Sequence, residues 1–279
     1  MNGKVVPILA YLQDGTATET QAQNILINRC MEGFGYTAAQ VPQVEPPSQP
    51  TDSMYRRYGV TSLAVAKRWG YQPEAGSPLL PNPNPAADPA MSSAEMLVYL
   101  GTDQTTLPRP SPSGAIPPGP TPPPVDGKAV PPGGCDGKAN REIDGANLED
   151  ENNALQLANT INRDDFDASE TNPTVLAVFH AWSVCMAGKG FTYSNPNQAL
   201  DANFNHTLTA APSQLEVDTA TADVECKNQT HLVTTWFDVE VKLEDASIQK
   251  NILALTALKN EEEAVEKTAL RVVSESEQG

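Results

Sequence analysis

The sequence predicts a mainly α fold, a disulfide-stabilised helical bundle that carries a long, irregular, proline-rich insertion. Three observations predict it. Capping boxes stand at Thr16-Ala-Thr-Glu19 and Ser213-Gln-Leu-Glu216, each leading into apolar residues that recur every three or four positions. Between His231 and Ser274 there is neither proline nor glycine, the two residues least compatible with a helix interior. The four cysteines, Cys30, Cys135, Cys185 and Cys226, form no C-x-x-C pair and accompany only three histidines, which favours two disulfides over a zinc site or a redox motif.

In chain order, the first helix is expected over 16–35, with Ala22, Leu26, Cys30 and Phe34 on one stripe, Ile25 beside it, and Gly33 and Gly35 ending it. Residues 37–53 read as a polar connection, and a short helix is expected from Ser62 to Trp69, stopped by Gly70. From Pro73 to Pro89 the chain reads as turns and extended backbone, with Asn82-Pro-Asn-Pro85 fixed by its prolines. The apolar run Ala94 to Leu100 fits a strand or a helix.

Eleven of the 25 prolines fall between Thr105 and Pro132, so 105–133 is expected to be polyproline-like, exposed and mobile, a spacer that adds little core. Cys135 to Ile161 reads as helical in parts, broken at Gly145. Asn172 and Pro173 open a clearer helix whose stripe is Val175, Phe179, Trp182 and Met186, flanked by Val178 and Cys185 and ended by Gly188 and Gly190. The next carries Leu215, Ala222 and Cys226, and 231–274 forms one long helix or two in series, with charged turns from Asn260 onward projecting into solvent or fraying. The expected organisation is an N-terminal part over 1–104, the proline-rich 105–133, and a helical 134–279 that shares one core with 16–36.

Of the three possible connectivities, Cys30 with Cys135 and Cys185 with Cys226 joins neighbouring elements without crossing. Such bonds need an oxidising compartment. No apolar stretch is long enough to span about 30 Å of hydrocarbon. The sequence does not open on a basic, apolar and small-residue leader, so export is expected to have removed one.

Eighteen basic against 35 acidic side chains give a net charge of −17, which repels nucleic acid and anionic membranes. No G-x-S-x-G, P-loop, H-E-x-x-H or G-x-G-x-x-G motif occurs. His180 lies one residue off an apolar stripe and reads as a partly buried structural residue, while His206 and His231 sit in polar surroundings. The acidic run Asp164-Asp-Phe-Asp167 with Glu170 lacks the glycine and glutamate of a calcium loop and reads as a solvated loop beside a helix. Catalytic, cofactor and metal residues are therefore not assigned. Tyr55, Arg56, Arg57 and Tyr58 form the densest aromatic and basic cluster and are the candidate partner surface. The bland reading keeps those tyrosines packed on the bundle and those arginines paired with local carboxylates.

Two segments echo each other, Asn28-Arg-Cys-Met-Glu-Gly-Phe-Gly-Tyr36 and Ser183-Val-Cys-Met-Ala-Gly-Lys-Gly-Phe-Thr-Tyr193. To them are added Tyr55-Arg-Arg-Tyr-Gly59, Trp69-Gly-Tyr71, Gly134-Cys135-Asp-Gly137, Trp182 and Ala222-Asp-Val-Glu-Cys226. In this order the motifs resemble those of uncharacterised secreted proteins and lipoproteins of actinomycetes. The resemblance implies export and a lipid anchor lost with the leader; it implies no activity. The expected function is a non-enzymatic binding or structural protein of the cell envelope, partnered by another envelope or secreted protein. The alternative is a secreted hydrolase with an unfamiliar acid-base site.

Overall fold

Every helix or strand found among the described residues is helical, apart from one isolated bridge between Val125 and Lys128. The structure, a computed structural model, describes residues 4–12, 16–44, 54–74, 77, 91–102, 122–145, 148–203 and 211–278. In chain order the α-helices are α1 (Ala17–Gly33), α2 (Leu63–Trp69), α3 (Ser93–Leu100), α4 (Gly134–Asp144), α5 (Leu148–Glu170), α6 (Pro173–Gly188), α7 (Pro196–Asn203), α8 (Gln214–Thr230), α9 (Leu232–Lys250) and α10 (Ile252–Ser276).

The helix ends follow from local chemistry. Thr16 accepts from the Glu19 amide while the Glu19 carboxylate accepts from the Thr16 amide, which satisfies two orphan donors at the start of α1. Ser92 and Glu95 repeat this box at α3, which settles the ambiguous 94–100 run as a helix. Asn172 caps α6 with Pro173 behind it, and Ser213 caps α8. The stretch after His231 is two helices in series. They part at Asn251, whose side-chain amide donates to the Ser247 carbonyl at 2.8 Å.

The chain divides into two compact units, each assembled from three separate stretches. The unit of residues 13–48, 86–157 and 252–279 packs α1 against α10 and α4, and α4 against α3. Its apolar core is Ala22, Leu26, Ile27 and Met31 from α1, Ala139 and Ile143 from α4, Val98 from α3, and Ala269 and Val272 from α10. Cys30 is bonded to Cys135 here. Gly134, at φ +67, allows the start of α4 to lie against the end of α3, where a Cβ would run into the Tyr99 carbonyl.

The unit of residues 1–12, 49–85 and 158–251 is built round α6, α8 and α9, with α2 and α7 on α8 and a 3-10 turn, Pro7–Tyr11, on α9. Cys185 is bonded to Cys226 here. Val175, Phe179, Trp182 and Met186 are the buried residues of α6, as their spacing predicts. Trp236 of α9 is ringed by Tyr58, Phe166 and Phe179 at centroid distances of 5.1, 5.4 and 5.0 Å.

Several expectations need correction. A single core uniting the helices around 16–35, 172–189, 213–228 and 231–258 is not what the contacts make: α1 belongs to one unit and α6, α8 and α9 to the other. The charged turns after Asn260 do not project. They continue α10 to Ser276, because Leu255, Leu258, Ala269 and Val272 keep a buried helical stripe beneath the charges. Asp164 to Asp167 lies inside α5, not in a loop. His180 is exposed rather than partly buried. In the polar connection, the Asn24 side chain bonds both the amide and the carbonyl of Val44 at 2.8 and 3.1 Å, and Val41 is buried. Asn82–Pro85 and most of the proline-rich segment lie outside the described residues; of its described part, 122–133, Val130 is buried in the apolar core.

Candidate functional site

The most chemically loaded place in the chain is the interior of the unit built on α6, α8 and α9. On α9 the residues Leu232, Trp236, Glu240, Glu244 and Ile248 are all buried. They stand four apart, so they share one face of the helix. Two glutamates thus occupy positions where the stripe calls for apolar side chains, and both side chains are fully buried. Buried carboxylates are stable only when paired and hydrogen-bonded.

The pairing comes from the sequence-predicted cluster Tyr55–Tyr58. Arg56 takes a positive φ of 58°, and the two side chains after it are largely buried. Arg57 Nε donates to Glu240 Oε1 at 2.8 Å, and its Nη2 reaches both that oxygen and Asn162 Oδ1. Tyr58 donates its hydroxyl to Glu240 Oε2, and burial pushes that phenol well above its ordinary range. Arg57 also lies over the Phe166 ring, 5.0 Å from its centroid. Arg56 donates to the carbonyls of Tyr71 and Gln72 and pairs with Glu74, which also accepts from the Tyr55 hydroxyl. Arg56 and Arg57 are only 12% and 10% exposed and Tyr58 only 3%. Three of the four side chains are therefore internal clamps rather than the open surface that the sequence suggests.

A second set of buried polar groups is centred on Asp223 of α8. Its carboxylate accepts from Trp182 Nε1 at 2.9 Å, from Lys227 Nζ at 2.9 Å and from the Tyr71 hydroxyl at 3.5 Å. Burial raises its pKa, and Lys227, Trp182 and Tyr71 oppose the rise. Lys227 also donates to the Val60 carbonyl, and Glu216 Oε1 accepts from the Tyr71 amide. Gly59 and Gly70, both at positive φ, leave the room these side chains fill: a Cβ would stand 2.9 Å from Lys227 Nζ at the first and 2.9 Å from Glu216 Cγ at the second. The Tyr-Gly59 and Gly70-Tyr motifs, Trp182 and the 222–226 segment thus meet round one carboxylate.

The four cysteines are two disulfides, paired Cys30–Cys135 and Cys185–Cys226 as their order in the chain suggests. Among the described residues no group of three or more His, Cys, Asp or Glu could hold a metal ion. His231 sits at the α8–α9 junction in a left-handed conformation, and His206 lies outside the described residues. The sequence reading missed Glu240 and Glu244 as partners of Arg57 because they lie 183 and 187 positions away. Their signal was available, however, in an otherwise apolar i, i+4 row interrupted by two acids.

In chemical terms the arrangement holds charge in place. Arg57, Lys227, Glu240 and Asp223 each find an opposite partner inside the fold. The chain is a disulfide-bonded helical protein with buried ion pairs in one of its two compact units. Comparison with protein-family models, with curated proteins and with solved structures finds no match.

Proposed function

We propose that this chain is a non-enzymatic binding or structural protein of the cell envelope, exported and partnered by another envelope or secreted protein. The observation that carries the reading is one disulfide in each compact unit, since such bonds persist in oxidising compartments and are rare in the cytosol. Further support comes from the buried charged groups, which are used in holding the helices together. No helix among the described residues is long and apolar enough to cross a membrane; a lipid anchor is the attachment that the resemblance to actinomycete lipoproteins suggests.

Fractionating the producing cells after trapping thiols with an alkylating reagent tests this. The chain is expected outside the cytoplasm with all four cysteines protected until reduction, and the immobilised oxidised protein is expected to retain an envelope protein that the reduced, alkylated form releases. Recovery from the cytosol with free thiols would overturn the export, and turnover of ester, glycoside or peptide substrates by the purified chain would overturn the non-enzymatic role.

A further inference from the structure

We propose that Glu244 is a proton-dependent latch for the N-terminal segment 4–12, which is held on α9 while the carboxyl keeps a proton and loosened when it ionises. Glu240 and Glu244 stand one turn apart on α9, both fully buried, and one guanidinium serves both. Glu240 takes the larger share, with Arg57 on Oε1 and Tyr58 on Oε2. Among the described residues, Glu244 has Arg57 Nη2 only at 3.7 Å and a single hydrogen bond, from the Ile8 amide to Oε2 at 2.9 Å, and its Oε1 is buried without a hydrogen-bond partner. Two adjacent buried carboxylates sharing one cation do not both ionise readily, and the proton settles on the less well served.

Among the described residues, the other elements packed here supply no second cation at hydrogen-bond or ion-pair distance. From α5 comes Asp165, bonded to Ser247 and adding negative charge. On α8 the buried Asp223 and Lys227 answer each other, and the buried Glu216 accepts from the Tyr71 amide. The one titratable side chain of α6, His180, is exposed. The segment's own Lys4 lies over the Phe237 ring, 5.8 Å from its centroid. Burial pushes Glu244 up to about 7.

Part of that burial is the segment itself, for Val6 and Ile8 are fully buried and the Pro7–Tyr11 turn packs on α9. When the segment lifts, water reaches the carboxyl and its pKa falls toward the ordinary 4.5. The closed form therefore binds the proton more tightly, so a rise in pH favours opening. The Ile8 hydrogen bond works the other way, because it favours the ionised form, but burial is the larger influence.

Amide exchange followed by mass spectrometry on the full oxidised chain tests this at about pH 5.5 and about pH 8.5, with the intrinsic pH dependence of exchange divided out. Protection of residues 6–12 is expected to fall by about tenfold or more at the higher pH, with α8 unchanged. Glu244→Gln is expected to hold the segment equally at both. If that variant does not fold, carboxyl-carbon NMR of the unaltered protein is expected to show one glutamate titrating near 7. Equal or greater protection of the segment at the higher pH, a Gln variant that keeps the loss, or glutamates that all titrate in the ordinary range would overturn the latch.

Discussion

The two compact units both have apolar cores but bury charge to different extents. The unit holding α1, α4 and α10 fills its interior with Ala22, Leu26, Ile27, Met31, Ile143 and Val272, while the unit holding α6, α8 and α9 places Glu240, Glu244, Asp223 and Lys227 at 2% exposure or less. An apolar interior is specified by volume and tolerates swaps that conserve it. An ionic interior is specified pair by pair: removing one partner strands a charge, whereas replacing both with apolar groups of similar shape can be nearly neutral. The units can be followed separately, because Trp69, Trp182 and Trp236, all three of the tryptophans, lie in the ionic unit. Tryptophan fluorescence therefore reports on that unit and helical circular dichroism on both.

Removing the disulfides is expected to have the largest effect, and an unequal one. Cys30–Cys135 spans a sequence separation of 105 and Cys185–Cys226 one of 41. The chain-entropy relation then gives about 5 kcal/mol for the first and about 4 kcal/mol for the second. Serine pairs at 30/135 are expected to lower the denaturation midpoint seen by circular dichroism while leaving the fluorescence transition in place, and pairs at 185/226 to shift the fluorescence. If the 30/135 pair moved the fluorescence transition as well, the units would not be energetically separable.

Next in size is the ion pair. Arg57→Ala leaves Glu240 buried without its cation and is expected to cost about 3–5 kcal/mol in the fluorescence transition. Adding Glu240→Leu to Arg57→Met is expected to recover most of the loss. In the apolar unit Met31→Leu, a swap of similar volume, is expected to cost less than about 1.5 kcal/mol. Equal losses from Arg57→Ala and Met31→Leu in urea titrations would remove the distinction between the two interiors.

How much of this was legible in the sequence follows from what each signal depends on. Local signals survived: the Thr16 and Ser213 caps, Pro173 at the start of α6, and the Val175–Met186 stripe each act within one helix, so the sequence contains the whole cause. Partnerships between distant segments did not. Arg57 and Tyr58 looked like an exposed hot spot because their carboxylate lies on a helix far along the chain. Charge density also misled at both acidic stretches: Asp164–Asp167 and the turns after Asn260 read as solvated loop or fringe. In each, a minority of apolar residues, Phe166 against Trp236 and Ala269 with Val272 in the apolar core, fixes the helix. The disulfide pairing was readable since only three connectivities exist and one of them joins neighbours.

A smaller effect is expected from pH. Glu244 has its folded pKa raised to about 7 from an ordinary 4.5. A raised acid favours the folded state least when ionised, so its share of stability is present below 4.5 and is lost as pH rises toward 7, then stays level. Melting of the ionic unit, followed by fluorescence, is expected to weaken across that window in the unaltered protein relative to Glu244→Gln. A variant with the same pH profile would assign the dependence to other groups.

The smallest effect separates two caps: each hydroxyl accepts from the amide three residues on, but only at Thr16 does the glutamate return the bond, Glu216 accepting from the Tyr71 amide instead. Ser213 accepts from the Glu216 amide and serves one helix end, α8 in the ionic unit. Thr16 accepts from the Glu19 amide at the start of α1 and also donates its hydroxyl to Glu266 Oε2 on α10. The second bond joins helices 250 positions apart in sequence, so it belongs to tertiary structure rather than to capping. Ser213→Ala is expected to cost about 1 kcal/mol, the ordinary value of a lost cap. Thr16→Ala loses that and the bond to a carboxylate, and is expected to cost about 2 kcal/mol. Thr16→Ser keeps both hydroxyl roles and is expected to restore most of the stability, whereas Glu266→Ala alone is expected to remove only the excess over a cap. Urea titrations followed by circular dichroism measure all four. If Thr16→Ala cost no more than Ser213→Ala, the hydroxyl would be acting as a cap alone, and α1 and α10 would be held by their apolar stripes without polar help.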